Sequence, residues 1–273
     1  MQVVSGPPPQ RIDDPDDERV DGFRALRARE STEVLWAEGP TVVDRLLRST
    51  LRTRAVLVTP VAWRRMLDRG VFDGRGGRDG VDVLLAEQQV VNTVVGFDLH
   101  RGVIAMADRP LLAPLPAMVG SARRLVVLEG LNDPENLGAI ARSARALGAD
   151  GLVLDPTCAD PYYRRSVRVS MGEILHLPVA RAAMSATLAE LDAAGFEVWA
   201  LTPRRDATPL DELARAGVPG RLALVMGAEG PGLSDAVLGS CRAVRIGQRD
   251  DVDSLNVGHA TAAALAVVAA FAT

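Results

Sequence analysis

Polar residues stand at the start of the most apolar helix that the sequence predicts. The segment DSLNVGHATAAALAVVAA, residues 253–270, opens with Ser254 and Asn256 and continues with small apolar residues. An Asn side chain donates and accepts hydrogen bonds at once, and a helix N-terminus favours developing negative charge. Polar residues at the mouth of such an apolar helix indicate a candidate site that faces a ligand. The alternative is simple capping by Ser254 or Asp253, which leaves Asn256 without a role.

A second segment combines a helix start with a glycine and an arginine on one face. In LEGLNDPENLGAIARSARALGADGLVL, residues 128–154, Asp133 and Pro134 predict the helix start. Gly138 and Arg142 are four residues apart and so share a helix face. A helical Gly costs about 1 kcal/mol relative to Ala and is tolerated best where another group approaches the backbone closely. Spacing alone favours equally a ligand-binding face and a surface Arg beside a packing Gly.

The third segment is a strand that runs into a glycine-rich loop. LALVMGAEGPGLS, residues 222–234, holds Gly227, Gly230 and Gly232 and a single acid, Glu229. Glycines allow backbone N–H groups to face a ligand, although a plain strand-to-helix turn has the same composition. The segment is neither a Walker A sequence nor GxGxxG, so phosphate-cradle and dinucleotide interpretations lose support.

The elements that must position these segments form two predicted units. Over residues 123–273, apolar strands alternate with helices, which predicts a mainly parallel sheet covered on both faces. Ligands of such sheets bind beyond the carboxyl ends of the strands, where the three segments fall. Residues 20–110 predict a smaller α/β unit, with FDGRGGRDG as a loop. The Pro- and Asp-rich residues 1–19 predict a disordered tail, and the Pro-rich residues 111–122 a linker.

Composition limits the classes of function. The 273 residues suffice for two domains, and the net charge is −4. All 31 basic residues are arginine, so the chain carries many guanidinium groups, whose planar arrangement of N–H donors suits phosphate. Bulk charge does not indicate a nucleic-acid binder, but residues 19–109, with 15 arginines and 12 acids, carry a net charge of +3.

The cysteine, histidine and hydropathy patterns indicate several features that we do not expect in this protein. Cys158 and Cys241 are far apart, without a CxxC pair, and the three histidines lack metal-ligand spacing. We therefore expect no disulfide framework, no metal and a cytoplasmic location. The N-terminus lacks the features of a signal peptide. The final apolar run of 14 residues is shorter than the ~18 that span a membrane, so burial or a protein interface is expected.

Taken together, the three segments resemble the three motifs of the SpoU (TrmH-type) RNA ribose methyltransferases of the SPOUT superfamily. The matching positions are Asn136, Gly138 and Arg142, then Gly227, Glu229 and Gly230, then Ser254, Leu255, Asn256 and Val257. The resemblance covers residues 123–270 and includes VRVSMGEILHLPV through Ser170 and Gly172. WAEGPTVVDRLL and HRGVIAMA further resemble an L30e-like RNA-recognition domain. This chain departs from the family at Ile246-Gly247-Gln248, where Ile-Pro-Met is usual, and at Gly258, where Ser is frequent.

The resemblance implies an α/β protein: a C-terminal SPOUT domain with a parallel sheet and a deep trefoil knot, preceded by a small L30e-like α/β domain. It implies a homodimer with the site at its interface, and S-adenosylmethionine as cofactor. The implied cofactor-binding residues are Leu201, Thr202, Gly227, Ile246 and Leu255. The implied catalytic residues are Arg142, Asn136, Glu229, Ser254 and Asn256.

The implied reaction is methyl transfer to a ribose 2′-hydroxyl of structured RNA, with rRNA favoured over tRNA. Because an Arg is very hard to deprotonate, we expect Arg142 to grip phosphate or stabilise the developing alkoxide. The other four residues would fix the hydroxyl and the loops. The alternatives are a tRNA methyltransferase, a non-catalytic RNA-binding member of the fold, a base methyltransferase and a Rossmann-type nucleotide enzyme.

Overall fold

The computed structural model describes residues 8–28, 33–71, 81–249 and 251–272, and they form two compact units. The first contains the described residues up to Pro110 together with Tyr162–Leu175. The second contains Leu111–Pro161 and the described residues from His176 onward. The stretch FDGRGGRDG, predicted as a loop, lies outside the described residues.

The first unit is built on a mixed sheet whose described strands follow the order β1-β4-β3-β5-β2. Strands β1, β4 and β3 are mutually parallel, and β5 pairs antiparallel with both β3 and β2. The strands are β1 Gln10–Ile12, β2 Val34–Glu38, β3 Thr53–Val58, β4 Asp82–Ala86 and β5 Val103–Asp108. The helices before Pro110 are α1 Asp21–Arg24, α2 Pro40–Arg48, α3 Pro60–Asp68 and α4 Gln88–Val95, with 3-10 turns at Glu18–Val20 and Ala25–Ala28.

The predicted disordered tail at residues 1–19 is wrong for its described part, residues 8–19. Strand β1 pairs with β4, and Ile12 and Val20 are buried in the same core as Phe23. The Asp17 side chain accepts a hydrogen bond from the Arg19 N–H at 2.9 Å and caps the turn that follows. Isolated apolar residues among acids therefore anchor a segment whose average composition indicates disorder.

The sequence PYYRRSVRVSMGEIL, residues 161–175, predicts one helix, but the structure divides it. Helix α7, Arg164–Val169, is followed by Met171 and Gly172 with φ of 56° and 84°, and then by the 3-10 turn Glu173–His176. These positive φ values break the helix. The segment is fixed within the first unit by ion pairs from Glu38 to Arg164 at 3.2 Å and from Arg45 to Glu173 at 2.9 Å.

The second unit is built on a sheet whose described strands are all parallel, in the order β10-β12-β9-β11-β6-β7-β8. The strands are β6 Arg124–Glu129, β7 Gly151–Leu154, β8 Val179–Arg181, β9 Glu197–Leu201, β10 Thr208–Pro209, β11 Leu222–Gly227 and β12 Arg242–Arg245. The helices are α5 Leu115–Ser121, α6 Pro134–Ala146, α8 Met184–Ala193, α9 Leu210–Ala216, α10 Asp235–Ser240 and α11 Val257–Phe271. Trp199 on β9 is fully buried.

The predicted linker at residues 111–122 is wrong, because it contains helix α5. Met118 and Val119 of this helix are buried in the core of the second unit. Pro114 is the N-cap and Pro116 lies in the first turn, where a missing N–H leaves no intrahelical hydrogen bond unmade. The prolines that indicated a linker are therefore compatible with the start of a helix.

The last helix, α11, packs against α6. Its inward positions include Ala264, Leu265 and Val268, whereas Ala266, Ala269 and Phe271 are exposed. None of the helices within the described residues is both long and apolar enough to cross a bilayer. The deep trefoil knot and the L30e-like character of the first unit stay predictions.

Candidate functional site

A cavity of 480 Å³ opens beyond the carboxyl ends of β9, β11 and β12. Eight of the ten residues predicted for the site line it: Leu201, Thr202, Gly227, Glu229, Ile246, Ser254, Leu255 and Asn256. Asn136 does not line the cavity but hydrogen-bonds to Asn256, and Arg142 does neither. The parallel sheet thus brings most of the predicted residues to one edge, as ligand sites of such sheets require.

The glycine loop, residues 228–233, closes one side of the cavity. A Cβ on Gly227 would lie 2.2 Å from the carbonyl carbon of Gly232, so no larger residue fits there without moving the backbone. Gly230 and Gly232 have φ of 89° and 71°, in the left-handed region that favours glycine. The loop folds back on itself through a 3.1 Å hydrogen bond from the Gly232 N–H to the Ala228 carbonyl. These constraints explain the glycines at a position where backbone faces the cavity.

Asn256 connects the polar side chains of the site through hydrogen bonds. Its Nδ2 donates to Asn136 Oδ1 at 2.9 Å and to Glu229 Oε1 at 2.7 Å. Its Oδ1 accepts from the backbone N–H of Gly258 at 2.9 Å and of His259 at 3.2 Å. Asn256, and neither Ser254 nor Asp253, is therefore the N-cap of α11.

The hydrogen bonds that the Asn256 amide already makes change the role predicted for this residue. Both N–H groups and both acceptor positions of the side chain are used within the protein, so none is left to orient a hydroxyl directly. In contrast, neither the Nδ2 of Asn136 nor the second carboxylate oxygen of Glu229 has a partner among the described residues. One donor and one acceptor therefore flank Asn256 without a partner among the described residues.

Arg142 stands apart from this cluster. It follows Asn136 by six residues on α6, which on an α-helix means ~9 Å along the axis and ~120° around it. Its side chain is exposed, and it has no hydrogen-bond or ion-pair partner in the part of the chain that the structure describes. Its guanidinium is therefore free to bind an external anion.

The charges of the cavity indicate the kind of ligand that it accepts. Glu229 and Asp253 line it, and none of the described lining residues is Arg, Lys or His. The apolar part of the lining includes Leu201, Met226 and Leu255. Such a site favours a ligand with an apolar group and positive charge, and disfavours one with several phosphates. No group of three or more potential metal ligands occurs within the described residues.

Gln248 occupies a position at which the sequence departs from the family. Its Nε2 donates to the carbonyls of Val252 at 3.3 Å and Asp253 at 3.2 Å, and its side chain lines the cavity. These two hydrogen bonds tie together the ends of the turn before Ser254. They give a physical way to hold this loop without the usual proline.

A buried carboxylate, Asp155, holds the loop after β6 and the turn after β7. It was not among the residues predicted from the sequence. It accepts hydrogen bonds from the N–H groups of Gly130 at 2.9 Å and of Thr157 at 2.8 Å. Burial acts to raise the pKa of Asp155, but hydrogen bonds from Thr157, Cys158 and Gly130 outweigh burial and lower it. Asp155 follows strand β7 directly, and this position is the feature of the sequence from which its role could have been predicted.

Comparison with known proteins agrees with this geometry. The model of the SpoU rRNA Methylase family matches residues 123–266. An uncharacterized tRNA/rRNA methyltransferase of Mycobacterium tuberculosis is 43% identical over 266 residues, which cover 94% of this chain and 90% of that protein. The 23S rRNA (guanosine-2′-O-)-methyltransferase RlmB of Ralstonia nicotianae is 32% identical over 192 residues, covering 68% of this chain and 76% of that one.

Solved structures extend the likeness to both units. An AdoMet-bound rRNA methyltransferase from Sinorhizobium meliloti has a TM-score of 0.76 at 26% identity and covers 95% of this chain and 97% of its own. The all-parallel sheet, the pocket and these matches define an α/β RNA methyltransferase. The chain belongs to the SpoU rRNA methylase family. The predicted α/β fold and the resemblance are thereby confirmed, and the Rossmann-type alternative is excluded.

Proposed function

We propose that this protein transfers a methyl group from S-adenosylmethionine to a ribose 2′-hydroxyl of structured RNA, with rRNA favoured over tRNA. The observation that carries the proposal is the cavity itself, because eight residues predicted for this chemistry line it beside the Asn136–Asn256–Glu229 cluster. The names of the Ralstonia and Sinorhizobium relatives, both rRNA methyltransferases, support rRNA as the substrate.

The residues present fit S-adenosylmethionine. The cavity of 480 Å³ is within the range of about 300–1,000 Å³ typical of small-molecule sites. Leu201, Met226 and Leu255 offer an apolar surface to the adenine ring, and Glu229 and Asp253 offer negative charge to a ligand with ammonium and sulfonium groups. Bound there, S-adenosylmethionine would supply an already activated methyl group. Leu201, Thr202, Gly227, Ile246 and Leu255 would hold it, in part through backbone groups.

The chain's own residues would then align the hydroxyl. Asn136 donates from Nδ2 to the ribose oxygen, and the free carboxylate oxygen of Glu229 accepts the hydroxyl hydrogen. Asn256 holds both side chains in place and does not touch the substrate. Ser254, exposed at the cavity, contributes its hydroxyl to the same wall. Arg142, exposed and without a partner among the described residues, binds RNA phosphate or stabilises charge on the attacking oxygen.

We propose that the first unit supplies most of the RNA affinity. It contains two closely spaced arginine pairs, Arg52/Arg54 and Arg64/Arg65, which differ in their partners. Arg54 is paired with Asp108, and Arg52 lies 4.0 Å from the same carboxylate. Arg64 and Arg65 on α3 are exposed and have no carboxylate partner among the described residues. The α3 pair is therefore the better candidate for phosphate contacts.

A homodimer completes the proposal. The exposed residues of the closing helix include Ala266, Ala269, Ala270 and Phe271, an apolar surface suited to a second copy. Because Arg142 lies outside the cavity of its own chain, we propose that a second copy supplies it. We place the activity in the cytoplasm, where the two free thiols of Cys158 and Cys241 remain reduced.

Calorimetry tests the cofactor assignment. We expect one S-adenosylmethionine per chain, and no comparable binding of NAD or ATP. Gly227→Ala, which places a methyl group against backbone, should abolish binding, whereas Gly220→Ala, with open space around its Cβ, should not. Unchanged affinity in folded Gly227→Ala would refute the assignment of this cavity.

The product tests the reaction. Tritiated methyl groups should appear in alkali-resistant dinucleotides, because a 2′-O-methyl group blocks cleavage at the adjacent phosphate. Label in ordinary mononucleotides would show methylation of a base. The absence of label with every RNA, despite tight RNA binding, would favour the non-catalytic alternative, and activity on tRNA alone would favour the tRNA alternative.

A further inference from the structure

Glu129 and Ser234 form a clamp at the far end of the glycine loop. Glu129 ends strand β6 and lies directly beside Gly227 in the parallel register of β6 and β11. Its Oε2 accepts a hydrogen bond from the Ser234 backbone N–H at 2.8 Å, and its Oε1 accepts one from the Ser234 hydroxyl at 2.7 Å. Both carboxylate oxygens are thus engaged by one residue.

Ser234 is also the residue with which the chain leaves the loop. It is the N-cap of α10, and its Oγ accepts from the Val237 N–H at 3.3 Å. The loop is therefore preceded by Gly227, which is held by strand pairing with β6, and followed by Ser234, which is held by the last side chain of that same strand. One strand end fixes both ends of the loop.

A glycine loop needs such a constraint. Glycines lose more conformational freedom on ordering than other residues, and Gly230 and Gly232 have no side chains that could anchor them by packing. If the far end were free, a ligand would have to order the loop when it binds, and its apparent affinity would fall. Glu229, which is presented by this loop, would lose its fixed position as well.

We propose that Glu129 is a positioning residue for methyl transfer, acting through Ser234 to hold the glycine loop closed around S-adenosylmethionine and to aim Glu229. The inference rests on the proposed function, because it concerns the use of the same cavity. Glu129 itself does not line the cavity, so we expect it to act through Ser234.

Cys241 offers a local reporter of this carboxylate. Burial raises the pKa of the Cys241 thiol, and the charge of Glu129 raises it further. The chain has one other cysteine, Cys158, whose pKa is raised by burial to about 12. Removal of the Glu129 charge should therefore shift the alkylation of Cys241 to lower pH, whether or not a cofactor is present.

The test compares Glu129→Ala, Glu129→Gln and Ser234→Ala with a control on the same helix. Ser240→Ala is that control, because its hydroxyl donates to the Ala236 carbonyl at 2.8 Å and faces solvent. For Glu129→Ala we expect an affinity for S-adenosylmethionine about tenfold weaker, which is about 1.4 kcal/mol. We expect faster amide hydrogen exchange over residues 228–234 without cofactor, and a larger rise in KM than fall in kcat.

Graded variants separate the clamp from a general structural effect. Ser234→Ala keeps the backbone N–H bond to Glu129, and Glu129→Gln keeps an acceptor for that N–H, so both should show intermediate losses. If folded Glu129→Ala equals Ser240→Ala in affinity and exchange, the proposal is overturned even though the wild type methylates RNA. If Glu129→Ala does not fold, the graded pair decides: wild-type exchange and affinity in both would refute the clamp.

Failure of the proposed function gives a different result. In that case the wild type would not bind S-adenosylmethionine at all, while faster exchange over residues 228–234 in the Glu129 variants would still support the clamp. Unchanged exchange in folded Glu129→Ala, with the shifted alkylation of Cys241 showing that the charge has been removed, would overturn the clamp independently of any ligand.

Discussion

The Asn256 side chain performs two separable tasks, because its oxygen and its nitrogen face different elements. The oxygen caps α11 through the N–H groups of Gly258 and His259. The nitrogen joins Asn136 of α6 to Glu229 of the glycine loop. Substitutions that keep one end and change the other can therefore distinguish a structural cap from a catalytic support.

Asn256→Asp is the variant that separates these tasks. A carboxylate still accepts from both backbone N–H groups, and its charge suits a helix N-terminus, so we expect α11 to keep its stability. The second carboxylate oxygen, however, would face the Glu229 carboxylate and repel it, and it could no longer donate to Asn136. We expect methyl transfer to fall about 100-fold, the scale for one preorganised contact. Thermal unfolding and single-turnover kinetics measure the two effects.

Asn256→Ala is the matched comparison. It removes both tasks, so unfolding should become easier by about 1 kcal/mol, and transfer should fall as far as in Asn256→Asp. Wild-type transfer rates in Asn256→Asp would show that the donor end is dispensable and that Asn256 is a cap alone.

At the scale of elements, the loops that follow the strands are held by buried polar groups, and Asp155 makes one of them sensitive to pH. Its folded-state pKa is lowered, so its contribution to stability is present above the unfolded pKa of about 3.9 and is lost as pH falls through the folded value. An amide at this position cannot accept from both Gly130 and Thr157 N–H groups with the same strength.

We therefore predict that Asp155→Asn lowers the free energy of unfolding by about 2 kcal/mol at pH 7, the scale of hydrogen bonds to a charged group. The difference from wild type should shrink as pH falls below about 4. Urea denaturation at a series of pH values measures this, with Asp192→Asn, an exposed acid on α8, as the control. A difference that is constant with pH would contradict the assigned cause.

The sequence predicts the central elements of the second unit better than its edges. Apolar runs in the sequence identify β6, β7, β9, β11 and β12, of which β6, β7 and β11 are largely buried and β9 and β12 only in part. Strands β8 and β10, with three and two residues, are too short to show any period. Helix α5 was hidden by its prolines, although Pro114 and Pro116 stand where a helix tolerates them.

Much of the site is also predictable, but its hydrogen bonds are not. Strand ends and motif matches identify eight residues of the cavity. The partners of Asn256 lie 120 and 27 residues away, so only the packing of α6, α11 and the glycine loop determines them. The clamp between Glu129 and Ser234 depends in the same way on strand register. Neighbouring residues in the sequence contain no signal for such contacts.

At the scale of the whole molecule, RNA affinity and chemistry are assigned to different units, and arginine pairs test this division. The double variant Arg64→Ala/Arg65→Ala should weaken RNA binding and reduce the salt-dependence slope by about 2, one for each phosphate contact. Arg52→Ala/Arg54→Ala is the matched control, because Asp108 already neutralises that pair in part. Filter binding at several salt concentrations measures both. Equal losses in the two variants would refute the assignment to α3.

The position of Arg142 leads to a prediction about the assembly. Arg142 lies about 120° around α6 from Asn136 and does not line the cavity, whereas Asn256 does. If a second copy supplies Arg142, each site combines the Asn256 of one chain with the Arg142 of the other. Arg142→Ala should then abolish transfer and leave S-adenosylmethionine binding nearly intact.

Mixed dimers provide the decisive measurement. Arg142→Ala and Asn256→Asp should each be nearly inactive alone, but a dimer of one with the other contains one site with both residues intact. Because random mixing makes half of the dimers mixed, and one of their two sites works, we expect about a quarter of wild-type activity after subunit exchange. If each chain formed its own complete site, every site in the mixture would lack one residue and no activity would return. Light scattering that shows a fully active monomer would contradict the dimer itself, since the exposed apolar surface of α11 would then have no second copy to cover it.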